Sequence, residues 1–184
     1  MPESKTLSRA PGLSDDTVAG SIPAFAVRSP ELNDGDTIGE AHVFNGMGCK
    51  GGNMSPELEW SQAPAGTRSF AVTLYDPDAP TGSGWWHWVV YDIPSNVSKL
   101  PAGAGDPARG WMPGVVQGLT DFGRRGYGGP CPPQGDPAHH YVFTVHALDV
   151  EKLDVPADAT AAAIGFNIHA HRLASASLTG VYAR

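Results

Sequence analysis

Cysteine is nearly absent from this chain: there are two residues in 184, Cys49 and Cys131, far apart and neither in a CxxC pair. Zinc-ribbon and dithiol redox chemistry, which need paired thiolates at short spacing, are thereby excluded. Basic charge is also scarce. Twelve Lys and Arg stand against nineteen Asp and Glu, a net charge of −7 with histidines neutral. The twelve are scattered, so the basic patch that would hold nucleic acid or an anionic membrane surface has no source here. Long apolar runs are missing as well. No stretch approaches the roughly 20 residues of a membrane span, and the opening MPESKTLSRAPGLSDDTVAG lacks the apolar core of a signal peptide. The chain is therefore expected to contain no integral membrane segment and to stay in the cytoplasm, where a disulfide between Cys49 and Cys131 would be unusual.

Glycine and proline, by contrast, are abundant at 23 and 17 residues, nearly twice ordinary usage and without a triplet period. They cluster in ELNDGD, GMGCKGGNMSPE, APAGT, DPDAPTGSG, LPAGAGDPARG and GGPCPPQGDP, the composition of turns. Between these lie SFAVTLYD, WHWVVYDI and HYVFTVHAL, rich in the aromatic and β-branched residues of strands. In the first, Phe70, Val72 and Leu74 alternate with Ala71, Thr73 and Tyr75, the period-2 signature of a strand with two faces. Near the end, Asp154 or Asp158 is placed to cap a helix running through ATAAAIGFNIHAHRLASAS, with Ile164, Ile168 and His171 on one face, and LTGVYAR reads as a closing strand. The fold class expected is mainly β, an antiparallel two-sheet β-sandwich with a C-terminal helix and closing strand. Residues 1–20 read as a polar, flexible tail and residues 21–184 as a single domain.

Three segments carry candidate chemistry. Asp76 and Asp78 of DPDAP are two apart at a strand end, which in extended backbone turns both carboxylates to one side. His87 enters the next strand on the parity of Val89 and Tyr91, with Trp86, Trp88 and Val90 on the other face. In GGPCPPQGDPAHHYVF, glycines allow close backbone approach, prolines stiffen the loop, and His139 and Tyr141 present an imidazole and a phenol to one side while His140 faces out. Imidazolium and N–H donors suit an anion. The carboxylates would then accept hydrogen bonds from the histidines and favour their protonated form, with His87 and His139 both supplying positive charge. Other readings stay open. His87 is also placed to be a core histidine bonded to Tyr75 or Asp92, the two aspartates and two histidines are a conceivable metal set, and Cys131 with His139 a conceivable nucleophile-base pair. GMGCKGG matches GxGxxG but lacks the helix that the motif requires, so it is a loop.

DPDAP, WWHW and PPQGDPAHHY, in that order, resemble the phosphatidylethanolamine-binding protein family, also called Raf kinase inhibitor-like proteins. NMSPELEW, GGPCPP and VHALD are similar to its bacterial and archaeal branch. The resemblance implies a two-sheet sandwich with a preformed pocket for phosphate-like head groups, lined by Asp76, Asp78, Trp85, His87, Cys131, Pro132, His139 and Tyr141. It also implies a possible homodimer, and it identifies no protein partner. Cys131 stands where animal members have glycine, and His140 where they commonly have arginine. The leading expectation is a small-molecule binding protein for anionic or phosphate-bearing ligands, acting as carrier, sensor or regulator. The alternative is an enzyme using Asp76, Asp78, His87 and His139 for acid-base cyclisation, isomerisation or elimination. No cofactor motif and no assigned metal site accompany either.

Overall fold

The computed structural model describes residues 24–184; the tail expected over residues 1–20, and residues 21–23 of the expected domain, lie outside the described residues. Two antiparallel sheets carry the fold. A small sheet joins β1 (Ala26–Arg28), β2 (Leu58–Ser61) and, beyond β3 (Ser69–Asp76) and β4 (Trp85–Pro94) in the chain, β5 (Lys99–Leu100), in the order β1-β2-β5. With β6 (Val116–Gln117), β7 (His139–Leu148) and, after the helix α1 (Ala161–His171), β8 (Arg172–Tyr182), the larger sheet is ordered β6-β4-β3-β7-β8. The inner face of the larger sheet contributes Phe70, Val72, Leu74, Trp88, Val90, Tyr141, Phe143 and Val145 to a core closed by Leu58, Trp60 and Leu100 of the small one. On its outer face Ala71, Val89 and Tyr91 meet Ala161, Ile164 and Ile168 of α1. Packing on both sides explains why β3 is buried at nearly every position rather than at alternate ones.

Local features depart from the sequence reading at three places. Thr160, not Asp154 or Asp158, caps α1, its hydroxyl accepting from the Ala163 N–H at 3.2 Å. The helix also stops at His171, and Arg172 to Ser177, expected as its last turns, begin β8 and pair along the length of β7. Ladder hydrogen bonds and the inner core outweigh the modest helix propensity of LASAS.

The third departure lies in β4. Leu74 faces Trp88 across the strands, but the next residue, Tyr75, faces Trp86, so His87 is an extra residue, a β-bulge. The parity expected for His87 therefore fails. Trp86 packs outward on Tyr75 with ring centroids 4.7 Å apart, Trp88 points into the inner core, and Trp85 returns to the inner side opposite Asp76. A bulge re-aims a side chain without breaking the strand, and here it adds His87 to the inner side.

Cys49 and Cys131 form a disulfide, with Cα atoms 6.0 Å apart, a pairing that the expected compartment made unusual. It ties the glycine loop around residues 46–52 to the proline loop. The two loops already run together: Phe44 N–H donates to the Pro130 carbonyl at 3.0 Å, and a Cβ on Gly129 would collide with the His42 carbonyl oxygen. Only glycine permits that approach. The bond spans a sequence separation of 82, for which chain entropy gives an upper stabilisation of roughly 4.5 kcal/mol. Replacing both cysteines with serine should cost about 2–4 kcal/mol, which for a chain of this size lowers Tm by roughly 4 to 16 °C. Scanning calorimetry showing no shift would mean that the two loops hold their positions without the bond.

Candidate functional site

One end of the inner face holds a cavity of about 300 Å³, lined by Asp76, Trp85, His87, His139 and Tyr141 from the strands. Loop residues close it: Phe122, Cys131, Pro132 and Pro133, with Met47 and Arg184 at the rim. Three depressions are larger, about 420 Å³ beside β1, about 670 Å³ along α1 and about 430 Å³ beside Asp92 and Glu151, and none of them is lined by a site residue expected from the sequence.

Asp76 organises the site. It is 2 % exposed, and a buried carboxylate is tolerable only when its oxygens are hydrogen-bonded. Its Oδ1 accepts from the backbone N–H of Asp78 at 2.8 Å and of Ala79 at 3.1 Å, an Asx-type turn that ends β3. Its Oδ2 accepts from His139 Nδ1 at 2.8 Å. Because the chain turns immediately after Asp76, the expectation that both aspartates face one way fails. Asp78 is exposed, does not line the cavity, and accepts from the backbone N–H and Nδ1 of His140 at 2.8 and 2.7 Å. The His140 backbone bond, foremost, holds the Asp78 carboxyl below the usual range. The two carboxylates thus grip successive histidines on opposite sides of β7.

The cavity's histidines are in different states. Burial alone would depress His139, but the Asp76 hydrogen bond and charge, joined by a 3.4 Å contact from Nε2 to Asp136, outweigh it and raise its pKa. His87 lies 4 % exposed between the ring edges of Phe122 and Tyr141, at 5.3 and 5.2 Å. Burial pushes its pKa down to about 4, against the opposing pull of the Gly128 carbonyl and Asp76. The expectation that both rings supply positive charge is corrected for His87, which is neutral near pH 7, while Asp76 favours the charged form of His139. His87 does not bond to Tyr75 or Asp92 either; its Nδ1 donates to the Gly128 carbonyl at 2.7 Å.

Two further polar atoms matter. Trp85 Nε1 and Tyr141 Oη are buried and have no hydrogen-bond partner among the described residues, a state proteins rarely leave uncompensated. Burial, reinforced by the charge and the hydrogen-bonding pull of the nearby Asp76 carboxylate, raises the Tyr141 pKa well above the usual phenol, so the hydroxyl keeps its proton, although no acceptor among the described residues meets it in ordinary hydrogen-bond geometry. Arg184 completes the donors; its Nε donates to the Pro132 carbonyl at 2.5 Å, and Nη1 to the Met47 carbonyl at 3.4 Å. Cys131 Sγ is spent in the disulfide, which removes the nucleophile-base pair with His139. With Asp78 turned outward and His87 Nδ1 committed, the four-residue metal set does not assemble, and no group of three or more His, Cys, Asp or Glu among the described residues is placed to hold a metal.

Sequence reasoning missed Arg184, Phe122, Met47 and Asp136. Arg184 comes just after β8, whose register sets Tyr182 opposite His139; a register across two distant strands leaves no mark in either alone. Phe122 sits in a loop fixed by Asp121, whose Oδ2 accepts from the Trp86 N–H at 2.7 Å.

A raised His139 pKa means that its stabilising contribution is complete below about pH 6.5 and is lost as pH climbs through the raised value. The depressed His87 acts oppositely: its contribution is present above about pH 6.5 and is lost as pH falls through about 4. An NMR titration of the imidazole protons should therefore find His139 above 6.5 and His87 silent between pH 5 and 8. In Asp76→Asn, with burial opposed only by the weaker pull of Asp136 and Asp78, the His139 pKa should fall by at least about one unit; an unchanged value would show that Asp76 does not hold the proton there.

Comparison with known proteins places this arrangement. Residues 28–183 match the family model described as phosphatidylethanolamine-binding protein. The chain is 55 % identical to the UPF0098 protein YbhB of Escherichia coli K12 over 84 % of its own length and 97 % of that protein's. It is 50 % identical to YbcL of the same organism, over 97 % and 98 % of the two lengths. The crystal structure of E. coli YbcL, described as a new member of the mammalian PEBP family, superposes with a TM-score of 0.85 at 52 % identity, over 87 % of this chain and 98 % of that one. Among the described residues no helix is long and apolar enough to cross a membrane.

Proposed function

The chain belongs to the phosphatidylethanolamine-binding protein family, and from that premise we propose that its cavity captures a small anionic or phosphate-bearing molecule, the protein serving as carrier, sensor or regulator. The observation that carries this reading is the pair of buried donors without partners, Trp85 Nε1 and Tyr141 Oη, on residues that line one cavity with charged His139 and Arg184. Donors left unpaired within a protein are an energetic cost that an oxyanion removes. At about 300 Å³ the cavity is at the small end for ligand sites, which suits a head group rather than a whole lipid. The likeness to bacterial members implies a homodimer as well.

The acid-base enzyme has less in its favour. Its candidate base, His87, has a pKa of about 4 and so little proton affinity near neutrality, and Asp78 lies outside the cavity. A cytoplasmic address would require the Cys49–Cys131 bond to survive reducing conditions, whereas oxidising compartments are where such bonds persist.

Titration with phosphate monoesters, followed by the fluorescence of Trp85 and its neighbours, should give saturable binding that weakens as pH rises through the His139 pKa. Trp85→Phe and Tyr141→Phe, each removing one donor, should raise Kd by roughly 5- to 30-fold, the equivalent of 1–2 kcal/mol. Indifference to every anion tried between pH 5 and 8 would sink the reading.

A further inference from the structure

Among the side chains lining the cavity, Trp85, Tyr141, His139 and Arg184 offer donors; His87 differs. Its Nδ1 lies 2.7 Å from the Gly128 carbonyl, which accepts only, so the ring hydrogen is there. The Gly128 N–H returns a bond to the His87 carbonyl at 2.9 Å, and the ring edges of Phe122 and Tyr141 flank the imidazole. The bulge that inserts His87 and this reciprocal pair fix the ring and its tautomer together. Nε2 has no hydrogen-bond partner among the described residues, although the residue lines the cavity. The charged and titratable groups around it are Asp76 on β3, His139 and Tyr141 on β7, and Asp121 and Arg124 on the loop that carries Phe122. None places a carboxylate on Nε2 to hold a second proton there, so the nitrogen offers a lone pair.

An oxyanion entering this cavity meets donors from Trp85, Tyr141, His139 and Arg184; of the acceptors, the Asp76 carboxylate is already bonded to two backbone N–H groups and to His139, and His87 Nε2 is the uncommitted one. A sulfate monoester or a phosphodiester has only acceptor oxygens, and one of them would face the Nε2 lone pair. A phosphate monoester in its singly charged form keeps a P–O–H to give, since its second pKa is near 6. A site built to bond a hydroxyl rejects the analogue that lacks it more strongly than size differences allow.

We infer that His87 makes the cavity selective for protonated oxyanions, so that phosphate monoesters bind in preference to sulfate monoesters and to the phosphodiesters of intact phospholipids. The inference rests on the reading of the cavity as an oxyanion receptor. Isothermal titration with phenyl phosphate, phenyl sulfate and methyl phenyl phosphate tests it. At pH 5.5 all three carry about one negative charge, so charge does not decide the result. The monoester should bind at least tenfold more tightly than either of the others. At pH 7.5, in two buffers of different ionisation enthalpy, phenyl phosphate should take up close to one proton more than phenyl sulfate does. His87→Gln, whose amide can turn an N–H to any of the three, should narrow the tenfold ratio to below about threefold; should it fail to fold, the unaltered protein decides alone. Affinities within threefold at pH 5.5, or a monoester preference without the additional proton, overturn the inference and leave the receptor intact. Failure of all three to bind at either pH overturns the receptor itself.

Discussion

The structure turns on one buried carboxylate. Asp76 ends β3 with a charge almost wholly withdrawn from water, a position that costs several kcal/mol unless its lone pairs are met. They are met by two backbone N–H groups of the turn after β3 and by His139. Those bonds set the direction of the chain after β3, the place of His139 on β7, and the charge on that ring. Together with burial, the same negative charge keeps the Tyr141 phenol protonated. The turn, the cation and the phenolic donor are therefore one device, and loss of the carboxylate would disturb all three together.

His87 shows how the same carboxylate can be overruled. It too feels Asp76, yet burial dominates and its pKa falls to about 4. The difference is geometric. His139 bonds Asp76 directly through Nδ1, whereas His87 spends Nδ1 on a neutral carbonyl. Direct contact with a carboxylate compensates desolvation and a charge at longer range does not. Two histidines in one cavity thus acquire opposite hydrogen-bonding roles from the identity of a single partner atom.

Much of the architecture was legible because it rests on local patterns. The strands around residues 69–76, 85–94 and 139–148 arise from aromatic and β-branched runs between turns, and one cavity is lined by residues from DPDAP, WWHW and PPQGDPAHHY. What escaped depends on relations between segments. The bulge at His87 exists only relative to β3, so counting residues in β4 assigned Trp86 and Trp88 to the same face. The end of α1 is decided by the pairing of Arg172 to Ser177 with β7, not by the helix propensity of those residues. Asp78 was misassigned because two-residue spacing implies a common side only in extended backbone, and the carboxylate of Asp76 itself bends the chain. The disulfide was missed because compartment set the expectation, while the approach of the two loops is set by Gly129 against His42.

The charge balance at the cavity says what kind of attraction operates. The chain carries a net −7, and Asp76 and Asp136 both contact His139, so the long-range field around the site offers an anion little steering. Attraction must act at hydrogen-bonding distance, through donors held in place before a ligand arrives. Such a site discriminates by where hydrogens are rather than by total charge, and screening by salt touches it less than it would a basic patch. The Asp136 contact, at 3.4 Å and on a residue far more exposed than Asp76, is the weak one of the pair. On the proposed reading, an entering oxyanion would compete for His139 Nε2 against that long, solvent-screened contact alone, while the Asp76 bond on Nδ1 continues to favour the charged form of the ring.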